Sequence, residues 1–319
     1  MQTIKYILLF SLFTFLWGCG NDISSTDPSP KAVSIKIVQR SGFQTKLVDD
    51  DNLESEQTIK NINVFFTEPS SDVIVEKYIM AGFSIDGDYQ LISIPIEPEV
   101  LQEKDIYIIA NYDDADKLEA ITTVTEMKAL MTPLSDKNNL LAPENGLCMF
   151  GTTPNFDFNS GSDEPAIVTL VRTCTKIRIN LVFPENPTLS TNNSFLIVDA
   201  AKYTHVIEND KSTIPGDAYF TYATELPLTN NGLNQYVATT YIYESAKVPV
   251  LYIYTHMFDS PATQEYSARL PLPERNFLYN IKIEIYDSSI SPTKAKRSYG
   301  YTHKVIIKVY DENGMLIEP

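Results

Sequence analysis

The chain has 319 residues, 43% hydrophobic and 21% charged, enough apolar material for a folded body, so disorder is excluded as its main state. Lys and Arg number 25 against 41 Asp and Glu, a formal charge of −16 that phosphate backbones would repel, so no nucleic-acid partner is expected. Three histidines and three cysteines leave little for a zinc centre, and neither a metal nor a cofactor is expected.

Residues 1–18 read as an export signal. Lys5 supplies a positive start, and Ile7 to Trp17 is an apolar run relieved only by Ser11 and Thr14, too short to span a bilayer. It ends in Leu16-Trp17-Gly18-Cys19, similar to a bacterial lipobox, in which the cysteine thiol receives diacylglycerol before cleavage. Cys19 is therefore the expected lipidation site. Residues 19–31, rich in Ser, Asp, Asn and Pro, read as a flexible tether. Lys5 is the one charge removed with the signal, which leaves the mature chain one unit more negative. The chain is therefore expected to be exported and held at a membrane surface by its lipid.

From Ala32 onward the dominant period is two. Val33, Ile35 and Ile37 alternate with Ser34 and Lys36; Ile62, Val64 and Phe66 alternate with Asn61, Asn63 and Phe65; Ile92, Ile94 and Ile96 repeat the pattern. Such alternation predicts antiparallel strands with one wet and one packed face. Ile106 to Ala110 and Val248 to Tyr254 are apolar on both sides and suit strands covered on both faces. One segment differs: Thr123 precedes Glu126 at capping-box spacing, and Val124, Met127, Leu130 and Met131 recur at helical spacing, which predicts a short helix over residues 124–131 ended by Pro133.

Residues 154–165, with Asn, Gly, Ser and Asp throughout, mark a domain boundary or a loop near it. Asp157, Asp163 and Glu164 lack the spacing of a calcium loop and read as solvated. Between Thr169 and Phe183 the apolar face changes parity, from Val168 and Leu170 to Ile177, Ile179, Leu181 and Phe183, which calls for a bulge near residues 172–175 or two separate strands. Tyr279, Ile281, Ile283 and Ile285 form a late alternating strand. The expected fold is all-β, two β-sandwich domains in series over residues 32–163 and 164–319, with one short helix in the first. No internal repeat stands out by eye.

In the oxidising compartment implied by export, Cys148 and Cys174 are either bridged or two buried thiols. A bridge would close a loop of roughly 27 residues and contribute about 3 kcal/mol in the chain-entropy model. His205, His256 and His303 each lie in strand-like sequence, and no G-x-S-x-G motif accompanies them, so no catalytic residue is assigned and no enzymatic activity is expected.

Four stretches in chain order resemble the fimbrillin family, the type V pilus subunits and associated proteins of Bacteroidales. They are Asp105-Ile106-Tyr107-Ile108-Ile109-Ala110-Asn111; Thr122-Thr123-Val124-Thr125-Glu126-Met127-Lys128-Ala129-Leu130; Leu170-Val171-Arg172-Thr173-Cys174-Thr175-Lys176-Ile177; and Glu274-Arg275-Asn276-Phe277-Leu278-Tyr279-Asn280-Ile281. The resemblance implies two transthyretin-like β-sandwich domains, export as a lipoprotein, and a part in building or anchoring an adhesive surface fibre. In stalk members a trypsin-like protease cuts after a basic residue and removes the first strand, and the groove accepts a strand from a neighbouring subunit. On that pattern the departing strand here is Ala32 to Val38, and Arg40 is the processing site, with Lys46 in reserve.

Two departures from stalk members favour an anchor or accessory subunit. The only tryptophan, Trp17, is in the signal, and only Met315 to Pro319 follow the Asn313-Gly314 turn. The partners the resemblance implies are other fimbrial subunits, by strand exchange, and the outer membrane, through the lipid, which places the chain at the cell surface. The alternative is a surface glycan-binding lipoprotein that uses some of the 19 tyrosines as a stacking platform.

Overall fold

The computed structural model describes residues 31–39, 54–81, 89–96, 102–132, 146–160, 164–183, 193–208, 214–220, 225–231, 235–256, 263–287, 303–310 and 316–317. The described part is built mainly of strands, with two short helices, and forms two β-sandwiches.

In the first sandwich, β1 (Lys31–Gln39) runs antiparallel to β4 (Tyr89–Ile96) and parallel to β7 (Ala166–Arg172). The opposing strands are β2 (Asn61–Thr67), β3 (Ile74–Ala81), β5 (Glu103–Ala110) and β6 (Met149–Asp157), in the order β3-β2-β5-β6. The layers meet at one corner, where Met149 and Phe150 of β6 pair with Arg172 and Val171 of β7. Val33, Ile35 and Ile37 of β1, Ile92, Ile94 and Ile96 of β4, and Val168 and Leu170 of β7 face Ile62, Val64, Phe66, Ile106 and Ile108 across a single core. This is the alternation read from the sequence, with the apolar parity turned inward.

The second sandwich repeats the plan. Here β8 (Cys174–Val182) lies between β12 (Gln235–Tyr243), antiparallel, and β15 (Leu278–Asp287), parallel. The facing sheet of β9 (Ser194–Val198), β10 (Leu226–Pro227), β13 (Val250–His256) and β14 (Thr263–Arg269) has the order β10-β9-β13-β14, the counterpart of β3-β2-β5-β6. Outside this shared pattern lie β11 (Thr229–Asn230), β16 (His303–Tyr310) and β17 (Leu316–Ile317), with β16 on the outer edge of β15. The repeat is one of topology, since core positions demand only an apolar residue of suitable volume.

Several expectations need correction. The chain passes between sandwiches at Thr173, not at 163/164, because β7 pairs with β1 over Ile35–Gln39 and belongs to the first sandwich. Residues 154–160 therefore continue β6 and turn toward β7, with Asn155 at φ 52°. The parity change is the break between two strands. β2 is not wet on one face: Phe66 enters the sandwich core, while Phe65 is buried on the other face with Ile109, Leu118 and Met127. The cover comes from two helices, α1 (Ala115–Ala120), absent from the sequence reading, and α2 (Val124–Ala129). β13, by contrast, alternates: Leu251 and Ile253 are buried, and Tyr252 and Tyr254 are half-buried.

α2 carries the expected capping box, with the Thr123 hydroxyl accepting from Glu126 N at 3.1 Å and the Glu126 carboxylate accepting from Thr123 N at 3.1 Å. Hydrogen bonds from Thr122 N at 2.7 Å and the Thr122 hydroxyl at 3.0 Å, joined by the one from Thr123 N, hold the Glu126 carboxyl below its ordinary range. The helix ends two residues before Met131, because Leu130 to Thr132 become extended and pair with the second half of the chain: Val206 N donates to Leu130 O at 2.9 Å and Thr132 N to Thr204 O at 2.8 Å.

Where β6 crosses β7, a Cβ on Gly151 would stand 2.5 Å from Thr169 O and 2.9 Å from Val168 Cγ1, so the close approach requires glycine. Gly151→Ala should lower stability by about 1–3 kcal/mol through overpacking. An unchanged urea midpoint would contradict this packing.

Candidate functional site: the first-strand slot and the junction behind it

β1 is a middle strand of its layer. Its pairing to β4 runs from Lys31↔Ile96 to Val38↔Tyr89, and its pairing to β7 from Ile35↔Ala166 to Gln39↔Leu170. The floor of the slot is apolar: Ile35 and Ile37 have no exposed surface and Val33 is 4% exposed. Without β1, backbone groups on both walls would lose partners and three aliphatic pockets would open, which is a receptor for an extended alternating peptide. Arg40, Lys46 and Cys19 lie outside the described residues.

The slot stands on a junction between the sandwiches. After β1 the described chain resumes in a short 3-10 turn, Glu54–Gln57. Glu56, fully buried, receives Lys176 Nζ of β8 at 2.7 Å and the Tyr241 hydroxyl of β12. Its carbonyl accepts from Arg172 Nε at 3.3 Å and Nη2 at 3.2 Å, and Arg172 Nη1 donates to Asn276 Oδ1 at 3.1 Å. Asn276 sits at φ 59°, the left-handed region Asn tolerates, and its N–H bonds Cys174 O at 2.7 Å. Nearby, Arg275 pairs with Glu244 and donates to Val206 O at 3.2 Å and His205 O at 3.3 Å.

The four stretches that carry the family resemblance converge here. Arg172 and Lys176 come from the third, Arg275 and Asn276 from the fourth, Asn111 from the first, and Leu130 from the second. Glu56 and Glu244, their acidic counterparts, were missed. Each stands in ordinary polar sequence, and only the fold brings them to the cations. His205 is structural, 6% exposed with Nδ1 3.0 Å from Lys128 O. His256 and His303 belong to β13 and β16. Among the described residues no group of His, Cys, Asp or Glu could hold a metal ion, and Asp157 accepts from Asn159 N at 2.8 Å in a turn.

Cys148 and Cys174 are free and buried. Cys148 packs with Ile109, Leu118 and Met127, and Cys174 with Leu147, Tyr241 and Leu278, so the thiols enter adjacent clusters. Burial pushes each thiol up to about 12. Burial also raises Tyr112 to about 12 and shifts Tyr243 further in the same direction.

No protein-family model and no curated protein matches the chain. The architecture defines the class: a two-sandwich all-β fold that solved structures of Bacteroidales fimbrial and candidate cell adhesion proteins share. A candidate cell adhesion protein from Parabacteroides distasonis aligns with TM-score 0.59 at 14% identity, over 91% of this chain and 99% of that one. The tip fimbrial protein Mfa3 from Porphyromonas gingivalis, truncated at its C-terminus, aligns with TM-score 0.57 at 13% identity over 88% and 100%. A fimbrial assembly protein from Parabacteroides distasonis gives 0.53 at 14% over 90% and 98%. At such identity the likeness is one of fold, and it agrees with the resemblance read from the four stretches.

The thiols give a direct check on the junction. In the folded state they stay protonated to about 12, whereas unfolded thiols ionise from about 9, so the folded form binds more protons between these values and stability should fall as pH rises through that window. Iodoacetamide at pH 8 should leave both unlabelled in the native chain and label both in urea. A denatured chain that labels only after reduction would reveal a Cys148–Cys174 bridge instead.

Proposed function

We propose that this chain is a non-enzymatic structural and adhesive lipoprotein of a type V surface fimbria, an anchor or accessory subunit that joins other subunits by β-strand addition. The observation that carries the reading is the placement of β1 between β4 and β7, over an apolar floor, with Arg40 immediately behind it in the sequence. The fold shared with a tip fimbrial protein and a fimbrial assembly protein supports it. In this reading Cys19 carries the lipid that holds the uncut chain at the outer membrane as an anchor, whereas cleavage after Arg40, or after Lys46, would remove the lipid together with β1 and leave a polymerising subunit. An incoming strand would restore both ladders and place aliphatic side chains where Val33, Ile35 and Ile37 now sit.

Burial of three such side chains is worth roughly 1.5–3 kcal/mol each, so a vacated slot is strongly adhesive. Deletion of residues 32–38 should give a protein that self-associates or captures an added peptide of the β1 sequence, as read by size-exclusion chromatography. A deletion variant that stays monomeric, soluble and as heat-stable as the parent would sink the strand-addition reading. Cys19→Ala should release the protein from membranes or block its maturation, and unchanged partition into the membrane fraction would remove the lipid anchor from the proposal.

One feature favours the alternative, a glycan binder. A cleft of about 900 Å³ is lined by Tyr112, Leu130, Met131, Thr132 and Tyr203, beside Lys117. Crosslinking to fibre proteins on intact cells, run beside a glycan array, separates the two. Saturable glycan binding that Tyr203→Ala abolishes, with normal fibres in a deletion strain, would replace the fimbrial reading.

A further inference from the structure

We propose that the segment Glu54 to Asn61 is a latch that stops the chain from peeling past Glu56 when β1 leaves its slot, and so keeps the two sandwiches joined after processing. The inference rests on the strand-release reading above and adds to it a mechanical limit.

Release of a strand is dangerous to a sandwich unless something defines where release ends. The new N-terminal segment left by cleavage is continuous with β2, whose Ile62, Val64 and Phe66 belong to the same core as β1. Peeling that reached β2 would dismantle the receptor it was meant to open. Residues 56–61 are fastened at both ends of that interval, by different chemistry and to different parts of the fold.

At the first end, Glu56 is tied by its carboxylate to Lys176 and Tyr241 of the second sandwich and by its carbonyl to Arg172 at the end of β7. Pulling Glu56 out would leave the ammonium of Lys176, 1% exposed, buried without this carboxylate. At the other end, Asn111 turns at φ 56° just after β5 and uses its whole amide on the segment and its neighbour. Asn111 Nδ2 donates to Thr58 O at 2.8 Å and Leu147 O at 2.9 Å, while Oδ1 accepts from Lys60 N at 2.8 Å. Asn111 N donates to Asn61 O at 3.2 Å. Between the two ends Ile59 is 3% exposed in the first core.

The arrangement supplies its own reporter. Lys60 is exposed, a suitable residue for trypsin, yet the backbone on both sides of it is held by Asn111. Cleavage after Lys60 needs local opening of the segment, so its rate follows the open population when reclosing is fast. In the parent, trypsin should yield chains starting at Ser41 or Leu47 while the bond after Lys60 survives.

The test is a tryptic time course on the full chain, read by intact mass for products beginning at Asn61. Glu56→Gln and Asn111→Gly, the latter keeping a residue suited to positive φ, should each speed cleavage after Lys60 at least tenfold. If Glu56→Gln does not fold, Asn111→Gly decides. Equal rates of cleavage after Lys60 in parent and folded variants would overturn the latch, as would cutting there as fast as after Arg40 in the parent. The same comparison in an Arg40→Gln/Lys46→Gln background, where β1 is not severed, reads the latch independently of strand release. Protection of Lys60 in that background, lost in the two variants, supports the latch even if β1 proves never to leave.

Discussion

The structure turns on a carboxylate with no exposed surface. The Glu56 carboxylate is met by Lys176 and Tyr241, and its carbonyl by Arg172, so groups from three strands of two sandwiches close on one buried residue. Buried pairs add little net stability compared with apolar packing, but breaking one is costly because a charge is left without water or partner. The consequence is register. β7, β8 and β12 must be correctly placed for Glu56 to be tolerated, and the segment following β1 is therefore fixed to the body at a defined point.

The shared topology makes the two halves instructive controls for each other. Each has a first strand lying between an antiparallel and a parallel neighbour, β1 in one and β8 in the other. β8 enters from β7 across the single residue Thr173 and carries Lys176, so its departure would break the chain connection and the buried ion pair together. β1 is separated from the junction by residues 40–53, so the two features that make β8 irreplaceable are absent from it. The same architecture thus gives one strand that is built in and one whose proposed exchange would leave the junction contacts in place.

How much of this was legible in the sequence follows from which interactions are local. The alternations of β1, β4 and β15 were readable because one face of each strand meets a core and the other does not. The capping box of α2 was readable because its partners are three residues apart. β2 misled because helices that follow β5, far along the chain, cover its outer face and bury Phe65. The 163/164 boundary was misplaced because turn residues look alike whether they join strands of one sandwich or link two, and only the ladder of β7 to β1 tells them apart. Glu56 had no local signature, since its partners are more than a hundred residues away. The four stretches shared with the fimbrillin pattern did point to the junction, but as unexplained strings. Arg172, Lys176, Asn276 and Asn111 acquire a reason only when seen bonding across it.

The strong negative charge bears on how such a chain meets another of its kind. Surfaces carrying an excess of carboxylates repel at long range, yet ions screen that repulsion beyond about 8 Å at physiological salt. Strand addition acts inside that distance, through main-chain hydrogen bonds that are indifferent to side-chain sign and through apolar contacts on the floor of the slot. In the middle of the slot, Lys36 on the outer face stands in register with Leu91 on one side and Ile167 on the other, both exposed aliphatics. Under the strand-addition proposal, charge would select against loose side-by-side association of folded bodies, while the buried alternation of Val33, Ile35 and Ile37 would set which strand fits. Repulsion and specificity would then be carried by different atoms, so acidity that kept the bodies apart would not oppose the proposed exchange of a strand.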